Sequence, residues 1–158
     1  MALHNKSGLA NLTIAGLDVG ELHRLRAAFD SSEKISFEGL AATNCVTLKN
    51  ADGRVSSRGK KMAFGYQVVA LQKFGPDALA SIPASKRADD ALLSHLCGTR
   101  NCLVAEHIII EAKRINDERT HCHFCLNNIK EKAGSSAMTH ALDSGLCPHN
   151  PRCGSLDH

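Results

Sequence analysis

Residues 94–122, SHLCGTRNCLVAEHIIIEAKRINDERTHC, decide how this chain is built. Cys97, Cys102 and His107 fall as C-x4-C-x4-H. Three such side chains can converge on one tetrahedral Zn²⁺, whose structural sites take thiolate and imidazole ligands. His95 stands two residues before the first of them, out of phase with the ligand set. A metal would then hold its backbone while its imidazole stayed free to move a proton. Asn116 follows on a segment that reads as a helix, where an amide oxygen can enter the half-hydrated oxygen shell of Mg²⁺. The periodicities give ALLSHL as a strand, GTRN as a metal-braced turn, CLVAEHIII as the return strand and EAKRINDERTHC as a helix. Residues 91–122 thus form a ββα unit.

Outward from this unit the signals weaken. In LDVGELHRLRAAFD at 17–30, Leu22, Leu25, Ala28 and Phe29 recur at helical intervals, so residues 1–40 read as an N-terminal helical segment. Residues 35–75 then turn to β patterns: ISFEG, NCVTLKN, the turn-rich NADG and the alternating AFGYQVVALQKF. They predict a twisted antiparallel sheet, with 41–75 as its body. Pro76 and the PASK segment at 83–86 act as a connector. Residues 131–145 have little strand character and read as an irregular loop, with at most one helical turn at AMTHAL.

A chain of 158 residues is long enough for one domain and short for two, so a single domain over 1–158 is expected. Aromatic content of 4% with no Trp limits how much core large rings can supply, and small folds short of buried area add disulfides or metals. Seven Cys with nine His favour metals, because an odd cysteine count does not close a disulfide framework. The opening MALHNKSGLANLT lacks a basic-then-apolar secretion signal, and no apolar run reaches membrane-spanning length. An intracellular, reducing location with no membrane partner is the expectation. The net charge of +3 is too small to argue for nucleic acid by itself, but Arg54, Arg58, Lys60, Lys61 and Lys73 lie between Gly53 and Gly75 without one acid. A local basic surface of this kind suits phosphate contact.

The first ligand set needs a fourth member, since three-ligand zinc keeps an open, catalytic position. Cys45 is the candidate: it alone among the cysteines lies upstream, and from a strand it would tie the sheet to the ββα unit. The plain alternative is a small buried thiol. Cys147, His149 and Cys153 form a second cluster, whose fourth ligand is Cys122 or Cys125, a C-x2-C pair flanked by His121 and His123. Two structural zinc ions per chain follow.

Taken together, His95, Cys97, Cys102, His107, Asn116, Arg119 and Cys122 make His-x-Cys-x4-Cys-x4-His-x8-Asn-x2-Arg-x2-Cys. This order resembles the His-Cys box of homing endonucleases, within the ββα-metal or His-Me finger nucleases. Cys147-x-His149-x3-Cys153 is similar to the second zinc knuckle of that family, here over 122–153, while residues 1–40 show no resemblance. The resemblance implies an α+β fold braced by zinc, with an antiparallel DNA-binding sheet and a ββα-metal catalytic unit. It favours Cys122 over Cys125, and it places Cys45 as the fourth ligand and Arg58 beside the scissile phosphate. Arg119 is expected to be structural or to touch phosphate.

The activity so implied is site-specific hydrolysis of DNA phosphodiesters: His95 as general base, one Mg²⁺ on Asn116, Arg58 as a second cation, and the basic sheet in the major groove. The implied partner is double-stranded DNA, the implied assembly a homodimer and the implied location the nucleus. Three departures bear on this. The chain stops at GSLDH, five residues after Cys153, where the family's best-known member has a long exchanged extension; Lys113 stands where that member has an apolar wedge; and Gly98-Thr99-Arg100-Asn101 lacks the usual asparagine-proline step. Two alternatives stay open, a zinc-stabilised DNA-binding protein that does not cut and a less specific nicking nuclease.

Overall fold

The computed structural model describes residues 19–40, 44–57, 60–83 and 87–154. Leu25 and Phe29, one helical turn apart, are buried on α1 (Val19–Asp30), as their spacing predicts. Six strands follow as β1 (Lys34–Glu38), β2 (Asn44–Leu48), β3 (Arg54–Ser57), β4 (Lys60–Phe64), β5 (Ala91–His95) and β6 (Ile108–Ala112). They pair as three separate antiparallel ribbons, β1–β2, β3–β4 and β5–β6, and not as the single sheet expected over 41–75. In the last ribbon Ala91 faces Ala112 and His95 faces Ile108.

The alternating reading of AFGYQVVALQKF is wrong, because residues 65–80 form a helix, α2 (Gly65–Ala80). Gly65, Tyr66, Gln67, Val68, Val69 and Ala70 are all buried, and a run buried on every face shows no period to read. The helix start carries its own signal in Gln67, whose Oε1 accepts the Phe64 N–H at 2.9 Å, the reach-back half of a capping box. Gly65 is required by packing: a Cβ there would stand 2.8 Å from Leu103 Cδ2 and 3.0 Å from Leu48 Cδ1. Gly75, at φ 79°, breaks the helix before Pro76 restarts it.

After β5 the chain turns through the cysteine loop and a 3-10 turn (Ala105–His107), so the return strand is only Ile108–Ala112 and not all of CLVAEHIII. Leu103 instead donates its N–H to Val46 O at 2.7 Å, stitching the loop to β2. The helix α3 (Lys113–Ala133) runs eleven residues past the expected end at Cys122. Residues 135–143 form another helix, α4 (Ser135–Asp143), where a loop was expected; Met138 and Leu142, one turn apart, are its buried face.

One core joins α1, β2, β3, α2 and the ββα unit through Leu25, Phe29, Leu48, Val55, Val69 and Ile108, among others. A second gathers Leu40, Leu126, Met138 and Leu142 with Cys147 and Cys153. The architecture is α+β, with small antiparallel ribbons and two Cys/His clusters bracing them. No helix among the described residues is long and apolar enough to cross a membrane.

Candidate active site and metal centres

The first cluster is assembled from three places: Cys45 on β2, Cys97 and Cys102 in the turn after β5, and His107 at the end of the 3-10 turn. The turn is shaped by Gly98 (φ 68°) and Asn101 (φ 63°), left-handed positions that glycine and asparagine tolerate best. Leu96 N–H donates to His107 O at 2.8 Å, which closes the loop on itself. The four donor atoms lie within 4.8 Å of one another and all four residues are buried. His107 Nδ1 stands 3.3 Å from Cys102 Sγ and 3.7 Å from Cys45 Sγ. The Thr99 N–H donates to Cys97 Sγ at 3.4 Å, the kind of outer contact that orients a thiolate ligand.

The donor set fits zinc. With Zn–S near 2.3 Å, a tetrahedral site has donor–donor edges of about 3.8 Å, close to the spacings here. No disulfide competes, as all seven cysteines are free thiols. Hydrogen bonds from Cys102 and Cys97 pull the Cys45 thiol far down, while the same crowding by Cys102 and Cys45 pushes Cys97 far up. Burial opposes charge on His107, but its bonds to Cys102 and Cys45 outweigh that and raise it to about 9.

The second cluster comprises Cys122 on α3 with Cys147, His149 and Cys153, again within 4.8 Å of one another. His149 Nδ1 lies 3.5 Å from Cys147 Sγ and 3.4 Å from Cys153 Sγ, and Cys153 N–H donates to Cys147 Sγ at 3.2 Å. Burial first, and then the bond to Cys147, raises the Cys122 thiol to about 11. Half-buried Cys122 lies on the stripe of α3 that carries buried Arg119 and Leu126, one turn from each. Cys125 is off that stripe, beside exposed His121 at 3.8 Å, and stays outside the cluster. Arg119 is 1% exposed and forks onto Glu111 at 2.9 and 3.1 Å, while its Nη1 donates to Pro151 O and Cys153 Sγ. It is therefore structural, clamping β6, α3 and the knuckle together.

His95 ends β5, half-buried, with Nε2 at 3.2 Å from Cys102 O. A carbonyl only accepts, so Nε2 carries the proton and Nδ1 is the acceptor nitrogen. The zinc loop itself thus sets the tautomer of the spare histidine. The ring of Tyr66 meets His95 edge-on, with centroids 5.0 Å apart. Asn116 lies half-buried in the first turn of α3, the helix that β6 feeds directly. Lys113 is held by Asp117 one turn on.

Residues 33–157 match the family model for the zinc-binding loop region of homing endonucleases. The chain belongs to that family. Neither a curated protein nor a solved structure matches it. Both Cys/His clusters fall inside the matched residues. Membership implies a nuclease family acting on DNA.

The basic residues divide. Arg54 lies on β3 with its guanidinium 4.2 Å over the Phe64 ring, and Lys60 and Lys61 lie on β4. Arg58, expected beside the scissile phosphate, lies outside the described residues. Lys73 is not on a sheet: from α2 its Nζ donates to Ala105 O at 2.8 Å and Ile108 O at 2.9 Å, tying the helix to the 3-10 turn. Sequence reasoning also missed His123. Its Nε2 donates to Leu96 O at 3.0 Å, and a Cβ on Gly98 would stand 2.8 Å from its ring. The signal was there in THCHFC, which together with Cys147, His149 and Cys153 offers more ligand-type side chains than one metal can use.

Proposed function

We propose that the chain is a site-specific DNA endonuclease that hydrolyses phosphodiester bonds with His95 as general base and one divalent ion on Asn116. The observation that carries this reading is the His95 Nε2–Cys102 O contact, which fixes Nδ1 as the proton acceptor on a loop that zinc would hold rigid. With Nε2 protonated and Nδ1 not, the imidazole is neutral and can take a proton from an attacking water. Asn116 offers one neutral oxygen to the ion. A bound Mg²⁺ supplies positive charge against the developing oxyanions of the phosphate and leaving group. Arg58 is assigned a second fixed cation at the phosphate.

The β3–β4 ribbon, with Arg54, Lys60 and Lys61, is the surface for the duplex, since a two-stranded ribbon fits the major groove. Cutting two strands needs two active sites, and one ββα unit holds one. A homodimer is therefore proposed, joined through residues 122–158 because the ribbon and the ββα unit are committed to DNA. The single domain acts on nuclear DNA, and its two zinc ions supply rigidity and not chemistry. The test is cleavage of supercoiled plasmid with Mg²⁺ supplied or withheld. Linear product only with Mg²⁺, and loss of cutting with retained DNA binding in Asn116→Ala, support the reading. Binding without any nick would favour a non-cleaving DNA-binding protein, and nicked circles without linear product a monomeric nickase.

A further inference from the structure

Cys125 is the one cysteine that neither metal cluster takes up, and it has a ligand-type neighbour of its own. His121 stands one turn before it on α3, with Nε2 at 3.8 Å from Cys125 Sγ. Side chains four residues apart on a helix are neighbours, and a tetrahedral zinc spans an edge of about 3.6 Å between a nitrogen and a sulfur ligand. The pair is therefore already spaced to chelate one ion. It lies on the side of α3 turned away from buried Arg119, His123 and Leu126: His121 is exposed, and Phe124, between the two ligands in the chain, is 64% exposed. Two ligands fill half of a tetrahedral shell. From Thr120 to Ile129, moreover, α3 carries no Asp, Glu, Lys or Arg, although Asp117, Glu118 and Arg119 precede this stretch and Lys130, Glu131 and Lys132 follow it. In a two-fold contact each residue near the axis meets its own copy, so a charge there repels itself, whereas an uncharged stretch with an exposed ring does not.

We propose that His121 and Cys125 are one half of a zinc site whose other half is the same pair on a second copy of this chain, so that a single Cys2His2 ion bridges two α3 helices. The inference supplies a contact for the homodimer proposed through residues 122–158 and rests on that reading. Phe124 is the apolar surface that this contact covers. Each Cys125 thiol releases its proton to solvent when it ligates, as thiolate ligation requires. Because half of the shell comes from another molecule, the bridging ion carries the cost of association and is held more loosely than the ions of the two four-ligand clusters. Dialysed protein therefore keeps its two resident ions, and the bridge forms when zinc is supplied.

The experiment is analytical sedimentation of the dialysed protein, kept reduced, as Zn²⁺ is added, with Co²⁺ as the added ion in a parallel series read by its visible spectrum. The expected result is uptake of about one further ion per two chains, a doubling of mass, and a dimer Kd lowered at least about tenfold. Added Co²⁺ should show the absorption of a tetrahedral thiolate site. Cys125→Ser and His121→Ala should each keep both resident zinc ions, show no such cobalt spectrum and stay monomeric at zinc levels that pair the wild type. A further ion bound without a change in mass, no uptake at all, or zinc-driven dimers of Cys125→Ser as strong as those of the wild type would overturn the proposal. Sedimentation on duplex DNA separates this from the reading it rests on. Pairing on DNA by wild type and both variants alike, with no response to zinc, removes the bridge and leaves the homodimer standing, whereas a wild type that pairs neither with zinc nor on DNA removes both.

Discussion

The two metal centres use the same ligand chemistry in different surroundings. In the first, the apolar company of Cys45, Cys97 and Cys102 is Val104, and the ligands come from three elements that the larger core and the Leu103–Val46 hydrogen bond also join. In the second, Cys147 and Cys153 share a cluster with Leu40, Leu126, Met138 and Leu142, and the Arg119–Glu111 pair bolts the knuckle to β6 and α3. The first centre is nearly all ligand and borders the larger core, whereas the second is set into an apolar cluster of its own. Only the first carries His95 on its loop. On the proposed reading, the centre beside the general base is the one with the fewest apolar neighbours of its own.

The strongest challenge to this contrast is removal of a first-centre ligand. Cys45→Ala should release that zinc and cost most of the folding free energy, because structural zinc contributes about 10 kcal/mol or more to small metal-dependent folds. Metal analysis and a chelator titration followed by circular dichroism check it. Near-normal stability with one zinc lost would erase the distinction between the centres.

At the second centre the corresponding change is Arg119→Met. It strands Glu111, itself 9% exposed at the side chain, and breaking a buried pair from one side costs about 3–5 kcal/mol. Urea melts should show that loss with the first zinc retained. The Arg119 guanidinium also acts on Cys153, so the second zinc should exchange faster.

The pH dependence of stability separates the two centres from the helix between them. Burial lowers His123 from 6.5 to about 4, against the opposing pull of its Leu96 bond. The folded state then resists a proton that the unfolded chain accepts. Its contribution is whole above pH 6.5 and is lost as the pH falls toward 4, by about 3 kcal/mol in all. His123→Gln keeps a donor for Leu96 O without titrating, so melts between pH 7 and 5 should be flatter for the variant. Identical slopes would contradict the assignment.

The smallest effect is expected from Cys125→Ser. Zinc content should stay at two per chain and stability within about 0.5 kcal/mol of wild type, as for surface changes generally. Cys122→Ser should lose one zinc.

Legibility of the sequence followed locality. Cys97, Cys102 and His107 declare themselves because a ligand set within one loop fixes its own spacing, and Cys45 was left as the only upstream cysteine. Between Cys122 and Cys125, three residues apart, spacing alone could not choose; the fold does, by packing Cys122 against Cys147 and Cys153 in the knuckle. The reading failed where burial erased the period: Tyr66 to Ala70 are buried on all sides and passed for a strand, which hid both the helix and the ring beside His95. The helix at 135–143 was misread although Met138 and Leu142 carry its period, because Gly and Ser around it read as loop. Lys73 was grouped with the basic ribbon by charge alone, while its place on α2 sends it to backbone carbonyls.

The central claim, that zinc holds the loop and His95 does the chemistry, is tested most directly by the single-turnover cleavage rate of His95→Ala on a supercoiled substrate with Mg²⁺. The expected result is a loss of about 10²–10⁴ in rate, with DNA affinity and two zinc ions per chain retained. An unchanged rate, or a variant that loses its first zinc along with its activity, would contradict it.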